Sequence, residues 1–318
     1  MAQRYEKGMN NSKRGTKKIL AEYKQHLKLE KSLSNNTIEA YLTDVDKLLA
    51  FLTLEGIDVR DVKLENLESF SAGLHDIGIN ARSQARILSG IRSFFRFLLL
   101  DGYIKADPSE LLESPKMGKQ LPDVLTVEEI DALISSTDRS ERYGQRDCCI
   151  LETLYSCGLR VSELCNLKLS DLYLNEGFIK VEGKGSKQRL VPISPRAIHE
   201  LNNYFLARNE HPIKPGFEDY VFISRFGRKL SRTMAFYVIK HAAERIGLKK
   251  VISPHTFRHS FATHLLEGGA NLRAIQAMLG HENIGTTEIY TSIDRSRLRA
   301  EIIEHHPRNI LQRRKKGQ

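Results

Sequence analysis

The chain reads as a mainly α (α+β) protein of two domains, a helical bundle followed by a mostly helical unit with a small antiparallel β-sheet. Three observations predict this. Apolar residues recur at three- and four-residue steps over the first hundred positions. A stretch rich in proline and glycine interrupts that pattern at 107–123. Beyond it, two alternating runs flank a glycine-rich turn between 178 and 193. A length of 318 residues agrees with two domains at roughly 100–200 residues each.

In the first domain, Ile19, Tyr23 and Leu27 mark a short helix ending near Lys31. Asn36 and Glu39 have the spacing of a capping box, ahead of Ile38, Tyr41, Leu42, Val45, Leu48, Leu49 and Leu52. Gly56 ends that helix. Leu64, Leu67 and Phe70 predict a brief helix at 63–74, and Ile87, Ile91, Phe94, Phe95 and Leu98 a longer one over 82–100. Four amphipathic helices with short connections make a bundle. The expected organisation is a flexible basic arm at 1–18, a helical domain at 19–112, a linker at 113–124, a second domain at 125–308 and a basic tail at 309–318.

Thr126 with Glu129 opens the second domain as another capping box. A buried helix is expected over 145–157, stopped by Gly158. Strands follow at 178–182 and 188–193, and a further short strand at Val221–Ser224. The remainder reads as helical. Four cysteines (Cys148, Cys149, Cys157 and Cys165) lack CxxC spacing, which suits reduced packing thiols in a cytosolic protein. No apolar run approaches the roughly 18 residues of a membrane span, and the first residues show no apolar signal segment, so a cytoplasmic protein without a membrane partner is expected.

The net charge of +10 implies a polyanionic partner only in general terms. Residues 1–18 contribute +5 and 308–318 another +5, leaving a neutral body. Within that body, residues 158–258 hold 18 basic side chains against 9 acidic ones.

Four local patterns could carry chemistry. Ser253–Pro254 is a helix start, and it puts His255 and Arg258 on one face of a first turn whose free N–H groups favour an anion. A solvated helix start with incidental charges would read the same way. Arg160 follows Gly158 at the end of an apolar helix, with Glu163 placed to orient it, either as a surface pair or as a held phosphate clamp. The turn Gly183–Lys187 presents Lys184 between glycines, as a phosphate-reaching lysine or a solvated tip. His281 follows a helix-ending Gly280, and Tyr290 lies nine residues on. A tyrosine or a histidine alone in such positions is ordinarily packing or a cap.

Taken together, Arg160, Lys184, His255, Arg258, His281 and Tyr290 occur in the order and contexts of the tyrosine site-specific recombinases, or integrases, and the chain resembles that family. The matching strings are GLRVSELCNL, GKGSKQRLVPI, SPHTFRHSFATHLLEGGANLRAIQAMLGHENIGTTEIYTSI and HHPR. The resemblance spans about 19–308 and is strongest to the Xer recombinases of chromosome-dimer resolution, the D-type more than the C-type. It implies a SAM-like, core-binding N-terminal bundle and a catalytic domain that cuts and rejoins DNA through a 3′-phosphotyrosine and a Holliday junction.

By that resemblance Tyr290 is the nucleophile, Arg160 and Arg258 clamp the phosphate, and Lys184 protonates the leaving oxygen. His255 would be the general base or a hydrogen-bond partner at the phosphate, His281 a donor to phosphate, and Glu163 the support of Arg160. No cofactor, metal or ATP is implied. Arg82, Arg86, Arg92 and Arg96 on the fourth helix, with Lys187, Arg189, Arg228 and Arg232, are the expected DNA contacts, although a solvated basic face would read the same way on that helix. The implied partners are a duplex bearing a specific recombination site, a tetramer on it formed by this chain alone or together with a second Xer-type recombinase, and a DNA translocase activator. The resemblance also implies that segment 294–311 docks on a neighbouring protomer through Ile302, Ile303 and Leu311. A mobile-element integrase shares the same chemistry, and a catalytically silent DNA-binding protein would share only the scaffold.

Overall fold

The computed structural model describes residues 2–115, 124–183, 187–210, 212–280 and 292–309, with side chains from 15 onward and, in the last helix, from 296. The chain divides into two compact units, 1–120 and 121–318.

The first unit contains α1 (Ala2–Leu29), α2 (Asn35–Glu55), α3 (Leu64–Asp76) and α4 (Ala81–Leu100). α1 absorbs the segment expected to be a flexible arm and a separate short helix. Residues 2–18 contain no proline, and their Ala, Gln, Arg, Glu and Lys side chains favour a helix enough to carry Gly8 and Gly15. α2 starts slightly earlier than expected, because Ser34 rather than Asn36 is the cap and its hydroxyl accepts from the Thr37 N–H at 3.3 Å. Gly56, at φ 69°, closes it in the left-handed conformation. α4 is capped by Asn80 and buries Ile87, Leu88, Ile91, Phe94, Phe95 and Leu98. Tyr23 of α1 packs edge-on against Phe94 with ring centroids 5.1 Å apart.

In the second unit α5 (Val127–Ser135) begins at the expected box, with Thr126 N–H to Glu129 Oε2 at 2.8 Å and Glu129 N–H to Thr126 Oγ1 at 3.2 Å. α6 (Gly144–Cys157) is the central helix. Its residues 148–157 are all buried, and it packs against α8 (Pro195–Arg208) and α10 (Pro254–Glu267). All four cysteines are buried free thiols in this core, and burial raises the pKa of each.

A short α7 (Val161–Asn166) leads to an antiparallel sheet in the order β1 (Leu172–Tyr173), β2 (Phe178–Glu182) and β3 (Gln188–Pro192). Ile179 pairs with Val191, and Val181 with Arg189. Two-residue β1 is too short to show in a sequence pattern. The strand expected at Val221–Ser224 does not form. There are isolated bridges instead (Lys168 to Tyr220 and Ile223 to Lys229), because the chain turns at once through Gly227 at φ 72°.

α9 (Arg232–Arg245), α11 (Leu272–Leu279) and α12 (Ser292–His305) complete the unit. α12 sets Leu298 and Ile302 into the chain's own core, rather than offering Ile302 to a neighbour as expected. Leu311 lies outside the described residues. Within HHPR, His306 and Arg308 are likewise internal. His306 lies 4.8 Å from the Tyr155 ring and 5.5 Å from that of Phe261. Burial pushes its imidazole down to about 3, with the Arg308 charge adding to the effect. Arg308, counted among the C-terminal charges, is fully buried against Glu152 and Asp131, with its guanidinium over the Tyr155 ring. Among the described residues no helix is long and apolar enough to cross a membrane.

Candidate active site

Four segments of the second unit converge where α6 ends. Gly158 terminates α6 at φ 57°, and a Cβ there would stand 2.4 Å from the Phe261 ring, so only glycine fits the turn. Its carbonyl accepts from Arg258 Nη1 at 2.8 Å. Arg160 comes two residues later as the N-cap of α7. Its backbone N–H donates to Glu163 Oε2 at 2.8 Å, and its Nη1 donates to Glu163 Oε1 at 2.9 Å. Glu163 therefore holds Arg160 at both ends, as the sequence spacing suggested.

α10 begins at Pro254, with the Ser253 N–H donating to Thr256 Oγ1 at 3.1 Å. His255 is exposed on the first turn, and Arg258 is buried one turn later. Burial, and then the nearby Arg160 charge, push the Arg258 guanidinium down to about 10, so it remains charged at neutral pH.

The fourth segment is the end of α11. A helix leaves its last carbonyls without partners, and they carry the negative end of its dipole. Here three consecutive carbonyls each receive an arginine. Arg189 Nε donates to Met278 at 2.7 Å, Arg258 Nη2 to Leu279 at 2.5 Å and Arg160 Nη2 to Gly280 at 3.3 Å. Gly280 sits at φ 65°, and a Cβ on it would lie 3.2 Å from the Arg189 side chain. Three guanidiniums from distant parts of the sequence are thus gathered on one helix end, around a single carboxylate.

Arg189, expected to contact DNA, is turned inward instead. It is buried, and it donates from Nη1 to Glu163 Oε1 (2.7 Å) and from Nη2 to Glu163 Oε2 (2.9 Å). The sequence carried a signal for this, since Arg189 shares a strand face with the buried Val191. Burial by itself raises the Glu163 pKa. The hydrogen bonds and charge of Arg189, joined by the N–H and guanidinium of Arg160, outweigh that effect and hold it below the ordinary carboxylate range.

Lys184, His281 and Tyr290 lie outside the described residues. Their flanks do not. Gly183 closes the hairpin stem, its N–H donating to the Lys187 carbonyl at 2.8 Å. A Cβ on Gly183 would stand 3.6 Å from Arg189 Nη1 and 3.8 Å from Glu163 Oε1. Gly280, next to His281, accepts from Arg160. The residues preceding Lys184 and His281 therefore both border the arginine cluster.

Lys187, Arg228 and Arg232 are exposed on the second unit, and Arg82 and Arg96 on the first. Arg86, with 48% of its side chain exposed, is also paired within the unit. Its Nη1 and Nη2 donate to the fully buried Asp44 at 2.6 and 2.7 Å, tying α4 to α2. Arg92 is half-buried and donates to the Leu112 carbonyl at 2.5 Å. Both arginines hold their own unit together. Among the described residues there is no group of three His, Cys, Asp or Glu side chains placed to hold a metal.

Residues 123–297 match the phage integrase family, and 20–102 match the phage integrase N-terminal SAM-like domain. A tyrosine recombinase XerD from Staphylococcus saprophyticus subsp. saprophyticus is 43% identical over 291 residues, covering 91% of this chain and 99% of the relative. A tyrosine recombinase XerD from Staphylococcus aureus is 42% identical over 293 residues, with the same shares covered. Among solved structures, a lambda integrase dimer bound to a COC′ core site has a TM-score of 0.66 at 19% identity, covering 86% of this chain and 97% of that one. XerH site-specific recombinase in a post-cleavage complex with a palindromic difH substrate also has a TM-score of 0.66, at 23% identity, covering 84% and 79%. These two share the fold.

Proposed function

The chain belongs to the phage integrase family of tyrosine recombinases, which cut and rejoin DNA strands, and from that premise we propose that Arg160 and Arg258 clamp the scissile phosphate. One observation carries this reading: two arginines 98 positions apart in sequence meet beside Glu163 and the end of α11. Like charges gathered this closely repel one another, and a bound phosphate would relieve that repulsion. Planar guanidiniums suit the nonbridging oxygens, whose charge grows in the pentacovalent transition state.

Tyr290 is the nucleophile. Its phenolic oxygen forms a bond to phosphorus as the bond to the 5′-oxygen breaks, leaving a 3′-phosphotyrosine and a free 5′-hydroxyl. His255, exposed on the first turn of α10, takes the phenolic proton. Lys184 supplies the proton gained by the departing oxygen, and the stem residue before it borders the cluster. His281 donates to a phosphate oxygen. Because the phosphoester is kept in the covalent intermediate, attack by another strand's 5′-hydroxyl reverses the step without ATP.

The partner is duplex DNA carrying a recombination site, bound by a tetramer of this chain or of this chain with a second recombinase, in the cytoplasm. Similarity to XerD over 91% of the chain supports chromosome-dimer resolution as the role, with a DNA translocase as activator. A nicked suicide duplex tests the chemistry. The native chain becomes covalently attached to it, whereas Tyr290→Phe still binds but gives no adduct. An adduct formed by the Phe variant would remove Tyr290 from the role.

A further inference from the structure

We propose that Arg189 is a positioning residue for strand cleavage, neutralising Glu163 so that the positive charge of Arg160 is left free for the scissile phosphate. The proposal rests on the reading of Arg160 as a phosphate clamp.

The arrangement of bonds carries it. Arg189 is on β3 opposite Val181, and its three guanidinium nitrogens all donate inward. Nη1 and Nη2 grip both oxygens of Glu163 as a parallel fork, the strongest geometry available to an arginine and a carboxylate. Nε fixes the same side chain to the Met278 carbonyl. Glu163 Oε1 also accepts from Arg160 Nη1, and Oε2 from the Arg160 N–H, so the carboxylate holds four hydrogen bonds and is saturated.

Charge follows from that geometry. If Arg160 alone faced Glu163, the pair would sum to zero and offer little to an anion. With Arg189 sharing the carboxylate, the trio keeps one net positive charge. Arg160 is the exposed member, at 39% side-chain exposure, against 8% for Arg189 and 1% for Glu163. The surplus charge therefore faces outward at Arg160. Arg189 also joins β3 to the helix end whose next two carbonyls seat Arg258 and Arg160, so one side chain sets both the charge and the spacing of the clamp.

The test uses the full chain and the nicked duplex, with cleavage measured at saturating DNA and affinity measured separately. Arg189→Gln cleaves about 100-fold more slowly while its affinity stays within about threefold of native, the signature of a lost transition-state interaction. A lysine restores the charge but not the fork, so Arg189→Lys falls between Gln and native. In an Arg160→Lys background, adding Arg189→Gln costs less than about fivefold, because both changes act through one guanidinium.

Weaker and less salt-dependent binding with native cleavage would overturn the proposal and make Arg189 a DNA contact. A multiplicative loss in the double variant would also overturn it, as independent support of the fold. If Arg189→Gln fails to fold, the same comparisons made with Arg189→Lys decide the matter. Arg160→Lys cleaving at the native rate would instead sink the clamp reading itself.

Discussion

Glu163 is a short side chain with four arginine-derived hydrogen bonds, and its chemistry decides how the site tolerates change. Replacing it with the isosteric Gln keeps the shape but leaves Arg160, Arg189 and Arg258 facing one another without a carboxylate. Breaking a buried pair from one side costs about 3–5 kcal/mol. Glu163→Gln is expected to lose stability on that order and to slow cleavage, checked by urea unfolding together with the suicide-duplex assay. The pH dependence has a definite sign. Arg189 and Arg160 hold the folded carboxyl below its ordinary value of 4.5, so its contribution to stability is complete above that value. It is lost as the pH falls through the lower folded value. Below pH 4.5 the native chain should therefore lose this part of its stability and approach the Gln variant, whereas at neutral pH the gap between them is full.

The turn from α6 into α7 shows how one position can govern a whole helix junction. Gly158→Ala puts a Cβ into the Phe261 ring and forces a left-handed conformation on a residue with a side chain. Left-handed backbone costs about 1–2 kcal/mol, and overpacking about 1–3 more. The expected loss is about 2–5 kcal/mol by thermal melting. Cleavage falls further, because the Gly158 carbonyl that seats Arg258 is displaced, and Phe261→Leu in the same chain recovers part of both. This junction was legible in sequence: a glycine ending an apolar helix, an arginine, and a glutamate three residues on. So were the box at Thr126 and the start of α10 at Ser253–Pro254, since each is a local signal. Arg189 was half legible. Its parity with Val191 indicated burial, but a basic residue near a glycine-rich turn reads as a surface contact. Arg308 was not legible at all. Its partners Glu152 and Asp131 lie far away in sequence, and a run of C-terminal charges gives no hint that the first of them is internal. The meeting of three arginines at Met278, Leu279 and Gly280 is a tertiary fact, which no spacing along the chain encodes.

Across the chain, the +10 charge divides into bases turned inward and bases that meet solvent. Arg308, Arg189 and Arg258 are buried, and Arg86, though half-exposed, is matched by the buried Asp44. Arg228 and Arg232, by contrast, are exposed on the unit that carries the candidate site. Duplex binding releases condensed counterions, and each phosphate neutralised contributes roughly 0.9 to the slope of log affinity against log salt. Two exposed arginines at the backbone should therefore account for up to about 1.8 of that slope. Arg228→Gln/Arg232→Gln is expected to flatten the dependence by about that amount and to weaken binding most at low salt. Arg86→Gln carries the same charge change per residue but removes one of the two cationic partners of the buried Asp44, Lys47 being the other at 3.5 Å. With Lys47 still beside Asp44, it should destabilise the first unit by about 1–3 kcal/mol while barely moving the slope. Titrations of native and variant chains at four or more salt concentrations, read beside their melting curves, separate the two behaviours. A slope loss in Arg86→Gln equal to its share of the double variant's would show that Asp44 does not neutralise it, and that a base matched within the fold contributes to DNA binding as fully as Arg228 and Arg232.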